Sequence, residues 1–531
     1  MSAKQRDLLL LGLGSLALFG LRLGARDLWN PNEPIYGQAV AEMMQRGDWL
    51  LPHVNGLVFA EKPILYYWMA LAASELLGGV SELALRLPSL AAGTAIVLGS
   101  YVLVQPYAGR ARALASGIAA ATLFGVFWNA RFIQMDILVT ATTLWIVLLV
   151  TRVADHRAAR LPGFLLAGVV AGLGFSAKGP VAWVCPALAL FAYLASTKRL
   201  GELFRWEVLA GAATCLVVAA PWYLMLLLRG EGDVVAEVLY RQNFGRFVNP
   251  WDHQAPWWYY LESFWVDMAP WGFFIPLALK LPGRNDGERR LALLSWLWIA
   301  SIVVFFSLSR SKRSPYILPV APAVAALAGE VALRFMSGGL DRIRKAWFLG
   351  LAAAIGGMFA VSGVIVLAAA WSRLPQAAGA VAAFGIAALI VGGLVGFDAV
   401  RAKGRVALPI SVATATVVLY LTAAGVTLPA LNAVKSARPV CEEVSRRLLP
   451  GDEIVSYAFW NWRAEYRYYL GRPITNIFGL APLAAAWTGG KRVVLFVEGE
   501  HLDEARQVIG EVAPAVVGRV GGGPIYVFTN R

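Results

Sequence analysis

The chain has 531 residues, of which 58% are hydrophobic and 15% charged, and its formal net charge is +14. A soluble globular chain carries roughly 25% charged residues, and the shortfall here is what a bilayer demands, because a charge at its centre costs about 2.5–3.5 kcal/mol on insertion scales. In a soluble protein the basic excess would point to nucleic acid. In this composition it belongs to cytoplasmic loops, which collect Lys and Arg, so nucleic acid is not a partner.

In chain order, an apolar run at 8–24 follows Lys4 and Arg6. No small-residue cleavage site comes after it, which favours a retained first helix over a signal peptide. Further runs of roughly spanning length lie near 87–107, 112–131, 137–153, 162–177, 179–196, 207–228, 266–280, 291–308, 315–333, 347–371, 378–400 and 406–430. These predict about thirteen spans, each near the 20 residues a bilayer needs. With the N-terminus in the cytoplasm, every inside loop is basic, as with Arg110 and Arg112, Arg157 and Arg160, or Arg284, Arg289 and Arg290. The reading is a multi-pass membrane protein, with a transmembrane region over 1–430 and a small α/β domain over 431–531 on the outer side.

Two outer loops are long, at 25–86 and 229–265. The first carries Ala39, Val40, Met43 and Met44 at helical spacing, and the second carries Val234, Val235, Val238 and Leu239. Both predict helices lying in the interface plane, and long loops of this kind are usually functional. In the last hundred residues the pattern changes to helices near 438–448, 463–471 and 501–511 and strands near 453–459, 491–498 and 524–529, with Gly521-Gly522-Gly523 read as a hairpin turn. The three cysteines, Cys185, Cys215 and Cys441, are odd in number and scattered, and they read as small packing residues.

Charged residues at outer helix ends are the informative ones. Glu33, Glu61, Lys62, Asp136, Lys178, Arg246, Lys312 and Arg313 all fall on the predicted outer side. Together they suit a phosphate-bearing lipid, with cations on the phosphate and a carboxylate as base or orienting group. Each has a plainer reading alone. Lys178 and Arg313 could snorkel to headgroups, Asp136 could cap a helix, and Glu61 with Lys62 could be a surface ion pair. His53 and His253 read as loop histidines rather than metal ligands, and Trp257-Trp258-Tyr259-Tyr260 as an interface belt. No cofactor follows from the sequence; a divalent metal ion is compatible with the carboxylates and is not required by them.

Several stretches in order carry a resemblance. They are Arg26-Asp27-Leu28-Trp29-Asn30-Pro31-Asn32-Glu33 with Tyr36, Gly47-Asp48-Trp49, Pro52-His53-Val54-Asn55-Gly56, Glu61-Lys62-Pro63, Asp136, Lys178-Gly179, Asn243-Phe244-Gly245-Arg246-Phe247, and Lys312 with Tyr316-Ile317-Leu318-Pro319. Over roughly the first 330 residues the chain resembles the aminoarabinose transferases of lipid A, which stand with the protein O-mannosyltransferases among the C-type glycosyltransferases. The resemblance implies the C-type fold of about thirteen helices, a polyprenyl-phosphate-linked sugar donor, and a lipid A-like glycolipid or a protein as acceptor. It implies that Lys62 and Arg246 hold the carrier phosphate, that Asp136 is the acid of the cavity, that Lys312 lies beside it, and that Glu33 is the second acid of an Asp-Glu pair. Tyr36, His53, Glu61 and Tyr316 are further substrate-binding candidates in the matched stretches.

The departure from the family falls at that pair. Its first acid is Asn32 here, and Pro34-Ile35 follows where the family has an arginine. An amide cannot take up a proton as a base. Either Glu33 takes that role, or the acceptor is already anionic, or the donor sugar differs. A transporter or flippase is the competing class, but it would bury charges midway along paired broken helices, whereas these cluster at helix ends. A catalytically dead relative is the remaining alternative.

Overall fold

The computed structural model describes residues 1–245, 248, 253–401, 407–459 and 463–531. Helix α1 (Ala3–Gly20) opens on a capping box, in which the Ser2 hydroxyl and the Gln5 side chain each accept from the other's backbone N–H. Then come α2 (Asn32–Arg46), the short hairpin β1 (His53–Val54) and β2 (Leu57–Val58), and α3 (Leu65–Leu76). Helix α4 (Glu82–Thr122) has 41 residues, which as a straight rod would measure about 60 Å, twice the hydrocarbon thickness of about 30 Å. It is not straight. Gly109 sits at φ 79°, a value that favours glycine, and breaks the helix. The break falls between the runs predicted at 87–107 and 112–131.

After α5 (Phe124–Asn129) come α6 (Met135–Ala154), α7 (Arg160–Lys178), α8 (Val181–Ser196) and α9 (Trp206–Leu228). The later long helices are Asp286–Leu308, Arg342–Arg373, Ala378–Arg401 and Ala407–Thr422, with a 3₁₀ turn at Ser314–Val320 feeding Ala321–Ser337. Among the described residues nine helical segments are long and apolar enough to cross a membrane. The expected single helix at 266–280 is instead two pieces, Tyr259–Asp267 and a 3₁₀ helix Trp271–Ala278. The physical reason is Pro270 and Pro276, which cannot donate to an α-helical ladder.

Both outer-loop helices form. In α2 the predicted face is inward, with Ala39, Val40 and Met43 buried. In the second loop a helix Gly232–Ala236 runs into a π-helical stretch, Glu237–Gly245, burying Val234 and Val238. Residues from three basic loops meet at one carboxylate. Arg199 and Arg290 reach Asp155 at 2.6 and 3.2 Å, so these loops share one face. All three cysteines are buried and unpaired.

Helices α7 and α9 touch through glycine. A Cβ on Gly168 would land on the Gly211 carbonyl, and one on Gly211 would lie 2.7 Å from the Phe164 carbonyl. Overpacking a close contact costs roughly 1–3 kcal/mol or more. Gly168→Val will therefore lower the thermal midpoint in detergent. Gly14→Val, at a position with open space around it, will not, and equal midpoints for the two variants would contradict the contact.

The C-terminal segment forms a five-stranded sheet from β3 (Glu453–Tyr457), β4 (Thr475–Ile477), β5 (Val493–Glu498), β6 (Val516–Val520) and β7 (Gly523–Thr529), in the order β4-β3-β5-β7-β6. The β3 pairings are parallel and the β7 pairings antiparallel. β6, β4 and the helix Leu480–Thr488 were not expected from the sequence. Gly521 and Gly522, both at positive φ, make the tight turn between β6 and β7. Apolar residues pack on both faces of the sheet, which is why β5 reads as an unbroken apolar run.

This segment grips the loop that precedes α2. Asn432 Oδ1 accepts from the Asp27 N–H and the Trp29 indole, each at 3.1 Å, and Tyr469 Oη accepts from the Leu28 N–H at 2.7 Å. The Asn30 amide donates to Glu465. Glu465 is buried, Arg463 stands 3.8 Å away, and its second oxygen has no partner. Burial, only partly offset by Arg463, pushes this carboxyl from 4.5 up to about 7. Its folded form binds the proton more tightly than the unfolded chain does. Its contribution is therefore full below pH 4.5 and is lost as pH rises through about 7. The span corresponds to roughly 3 kcal/mol. The thermal midpoint should fall between about pH 5 and pH 8, and Glu465→Gln should flatten that dependence. A wild-type profile already flat would refute it.

Candidate active site

The site is assembled at helix ends. Asp136 sits in the first turn of α6, and Lys178 is the last residue of α7. Gly179 follows at φ 72°, turning the chain so that the lysine folds back. Lys178 Nζ forms an ion pair with Asp136 Oδ1 and lies over the Tyr316 ring, 4.7 Å from its centroid. Neither residue snorkels or merely caps. The pair closes one side of a polar chamber of ≈ 50 Å³. Glu61 and Lys62 enter from the first outer loop, with Lys62 Nζ donating to the Glu61 carbonyl at 3.1 Å and lying 4.0 Å from its carboxylate. Tyr36 from α2, Gln134, Gln242, Asn243 and Arg313 complete the wall. Among the described residues three cations thus face two carboxylates, which leaves a positive chamber of the size of a small anionic group.

The chamber opens into a groove of ≈ 530 Å³. The two share Asp136, Lys178, Gln242, Asn243 and Tyr316, while the groove continues along Val181, Leu239, Phe305 and Phe306. An anionic head with a long apolar tail fits the combination. On the other side Gln134 and Arg313 also line a third cavity of ≈ 420 Å³. One wall of it is a stack in which Trp128 lies 5.7 Å from Phe124 and 4.3 Å from Phe132.

Several expectations are corrected. Glu33 does not reach the Asp136 chamber and is not placed as a base. It is buried and accepts from Arg26 at 2.6 and 2.9 Å, from Arg86 Nε and Nη2 at 2.9 Å each, and from the Ile133 N–H at 3.0 Å. Burial alone would raise its carboxyl, but Arg26 and Arg86 outweigh it and hold it at about 2. Such an acid is an anchor. Asn32 and Glu33 both line the third cavity, apart from Asp136.

Lys312 is also displaced. Its ammonium is turned inward to the carbonyls of Ser309 and, at 3.2 Å, Ala255. The neighbouring Arg313 lines the chamber instead, and among the described residues it pairs with no carboxylate. His53 lies in the β1–β2 hairpin with Nδ1 at 2.9 Å from the Leu51 carbonyl, outside the chamber. Among the described residues no three His, Cys, Asp or Glu side chains converge on a metal site. Arg246 lies outside the described residues. Sequence reasoning missed the anchors Arg26 and Arg86. Arg86 carried a signal, as a cation immediately before the apolar run at 87–107.

Residues 61–225 match the dolichyl-phosphate-mannose-protein mannosyltransferase family model. The chain is 32% identical over 333 residues to undecaprenyl phosphate-alpha-4-amino-4-deoxy-L-arabinose arabinosyl transferase 1 of Pseudomonas fluorescens, covering 61% of this chain and 57% of that one. It is 32% identical over 347 residues to the corresponding enzyme of Aeromonas salmonicida, covering 63% and 62%. It therefore spans less than two thirds of the length of these relatives. The crystal structure of ArnT from Cupriavidus metallidurans bound to undecaprenyl phosphate superposes with a TM-score of 0.80 at 20% identity, covering 100% of this chain and 99% of that one.

The chain has the fold of that transferase.

The likeness extends over the whole length of the chain.

Proposed function

We propose that the protein is a membrane glycosyltransferase that moves a sugar from a polyprenyl-phosphate carrier to an envelope acceptor, a lipid A-like glycolipid. The observation that carries this is the positive chamber that opens into an apolar groove through five shared residues. The carrier phosphate sits among Lys62, Lys178 and Arg313, with Arg246 as a further phosphate ligand, and the prenyl tail runs past Val181, Leu239 and Phe305. ArnT of C. metallidurans binds undecaprenyl phosphate in the same fold, and the relatives carry undecaprenyl phosphate in their names.

The reaction is a single displacement. An acceptor oxygen attacks the anomeric carbon, the bond from that carbon to the carrier phosphate oxygen breaks, and the carrier phosphate leaves with the electron pair. Fixed cations stabilise the charge as it grows, and a phosphate leaving group requires no general acid. A phosphate acceptor is already anionic and needs no base, which suits Asn32 in place of an acid. A hydroxyl acceptor would hand its proton to Asp136, the carboxylate of the chamber. Arg313, shared with the third cavity, is the group on which an anionic acceptor would be drawn in.

The chamber and the C-terminal segment are assigned to the periplasmic side of an inner membrane, on the basic loops of the opposite face. In this reading α1, α8, both legs of α4 and the 259–278 pair are taken with the other long helices as thirteen spans. The mannosyltransferase family match over 61–225 favours a second reading, in which the acceptor is a protein.

One experiment separates the two. Lipid A and secreted peptides are compared by mass spectrometry in strains with and without the gene. A sugar lost from lipid A supports the first reading, a hexose lost from peptides supports the second, and no change in either removes both. In the same strain Lys62→Ala should fail to restore transfer while the protein still accumulates in the membrane.

A further inference from the structure

A fourth cavity, of ≈ 550 Å³, lies between α2, the start of α4 and the C-terminal segment, and shares no lining residue with the Asp136 chamber. Among the described residues its lining includes Arg438, Arg467 and Arg472 with a single carboxylate, Glu82. Arg438 is committed, pairing with Glu82 and, at 3.1 Å, with Asp27. Arg467 Nε lies 3.3 Å from a Glu42 carboxylate oxygen. Glu42 in turn accepts from the Gln38 amide at 2.8 Å and from the N–H groups of Asn55 and Gly56 at 2.7 and 3.0 Å, so its charge is shared among many donors. Arg472 donates to the Asp452 carbonyl at 3.2 Å and pairs with no carboxylate among the described residues. Two guanidinium groups thus line the cavity with donors to spare, and Arg46 beside Glu42 adds to the positive charge.

The place of the cavity says what kind of anion fits. Its floor is Val80, Ser81 and Glu82. There Ser81 caps α4, with its hydroxyl accepting from the Ala84 N–H at 3.2 Å, and α4 is one of the long apolar helices. In the chain Leu76, Leu77 and Leu83 flank the lining residues Val80, Ser81 and Glu82, and they are 86%, 51% and 39% exposed. A free anion would need only the arginines. A lipid would need both the arginines and an adjoining apolar edge, and leucines at a helix end meet acyl chains at the depth where cations meet headgroups.

We propose that this cleft is a second anion site, which holds the phosphate of a lipid headgroup between Arg467 and Arg472 while Leu76, Leu77 and Leu83 lie against the acyl chains. Arginine suits the task, because its planar fork matches phosphate oxygens two at a time. The site ties the C-terminal segment to the lipid surface beside α2. It is independent of the chemistry assigned to the chamber.

The test is native mass spectrometry of the full-length protein in detergent. The probes are phosphatidic acid, diacylglycerol with the same chains, and inorganic phosphate. The protein retains one phosphatidic acid in preference to diacylglycerol, Arg472→Ala weakens that retention about tenfold, as loss of a charge-assisted contact implies, and Arg472→Lys weakens it less. The measurement is repeated on the Lys62→Ala background, so that a lipid held in the Asp136 chamber is not counted. The preference survives there if the two sites are separate, and losing it there would overturn the proposal. Equal retention by Arg472→Ala and wild type, or equal retention of diacylglycerol, would also overturn it. Arg472-dependent binding of inorganic phosphate with no preference for phosphatidic acid would overturn the lipid assignment. An unchanged thermal midpoint for Arg472→Ala establishes that the exposed turn at Gly471-Arg472-Pro473 is not holding the fold.

Discussion

Asp136→Asn will lower sugar transfer by about 10²–10³-fold, the usual cost of removing one preorganised charge at a site of developing charge. The substitution keeps the shape of the side chain and removes only its charge. Lys178 then loses the partner that holds it over Tyr316, so a cation of the chamber is displaced along with the acid. The two residues act as a unit, and their effects should not add. Lys178→Ala alone should cost a similar factor, and the double variant little more than either single one. The assay follows label from polyprenyl-phosphate sugar to acceptor in membranes, with protein quantity set by immunoblot. Full activity of Asp136→Asn would remove Asp136 from the reaction. Additive losses would mean that the pair does not function as one.

The second large effect is on stability. Glu33→Ala leaves Arg26 and Arg86 facing each other in a buried space with no counter-charge, and breaking a buried pair in this way costs about 3–5 kcal/mol. The carboxylate also organises its surroundings. Arg86 Nη1 donates to the Leu23 and Arg26 carbonyls at 2.9 and 2.5 Å, and the Arg26 guanidinium lies 3.7 Å above the Phe132 ring. Losing Glu33 therefore loosens the turn between α1 and α2 and one wall of the third cavity together. Glu33→Ala should accumulate poorly in the membrane and show a markedly lower midpoint. Glu33→Gln, which restores one acceptor but no charge, should be intermediate at best.

The pH dependence has the opposite sign from that of Glu465. With its carboxyl held at about 2 against an ordinary 4.5, the contribution of Glu33 is full above about pH 4.5 and is lost as pH falls toward 2. Normal accumulation of Glu33→Ala with abolished transfer would instead return Glu33 to the chemistry.

Much of the architecture was legible because a bilayer leaves few alternatives. Apolar runs of the required length could be located without knowing what they touch, and the kink at Gly109 fell in the gap between two of them. The exception at 266–280 was a run in which hydropathy was right and prolines forbade the α-helix. In the C-terminal segment, β3, β5 and β7 were readable as apolar runs. β4 and β6 are short strands at the edges of the sheet, and a half-exposed edge strand carries little pattern.

By itself the sequence determined that the chain spans a membrane many times, that its outer loops carry helices with one apolar face, and that Lys62, Asp136 and Lys178 are charges on its outer side. Which of them meet was decided only in three dimensions. Asp136 and Lys178 are 42 residues apart, and Glu33 and Arg86 are 53 apart. The fold brought the first pair into the chamber and withdrew Glu33 from it. Lys312 and Arg313 are adjacent in the chain, and a sequence cannot say which of two neighbours turns inward. The carbonyls of Ser309 and Ala255 took the lysine and left the arginine to the chamber. Hydropathy is a local sum and survives in the sequence. The direction of a side chain depends on which backbone groups lie within reach of it, and tertiary packing supplies those.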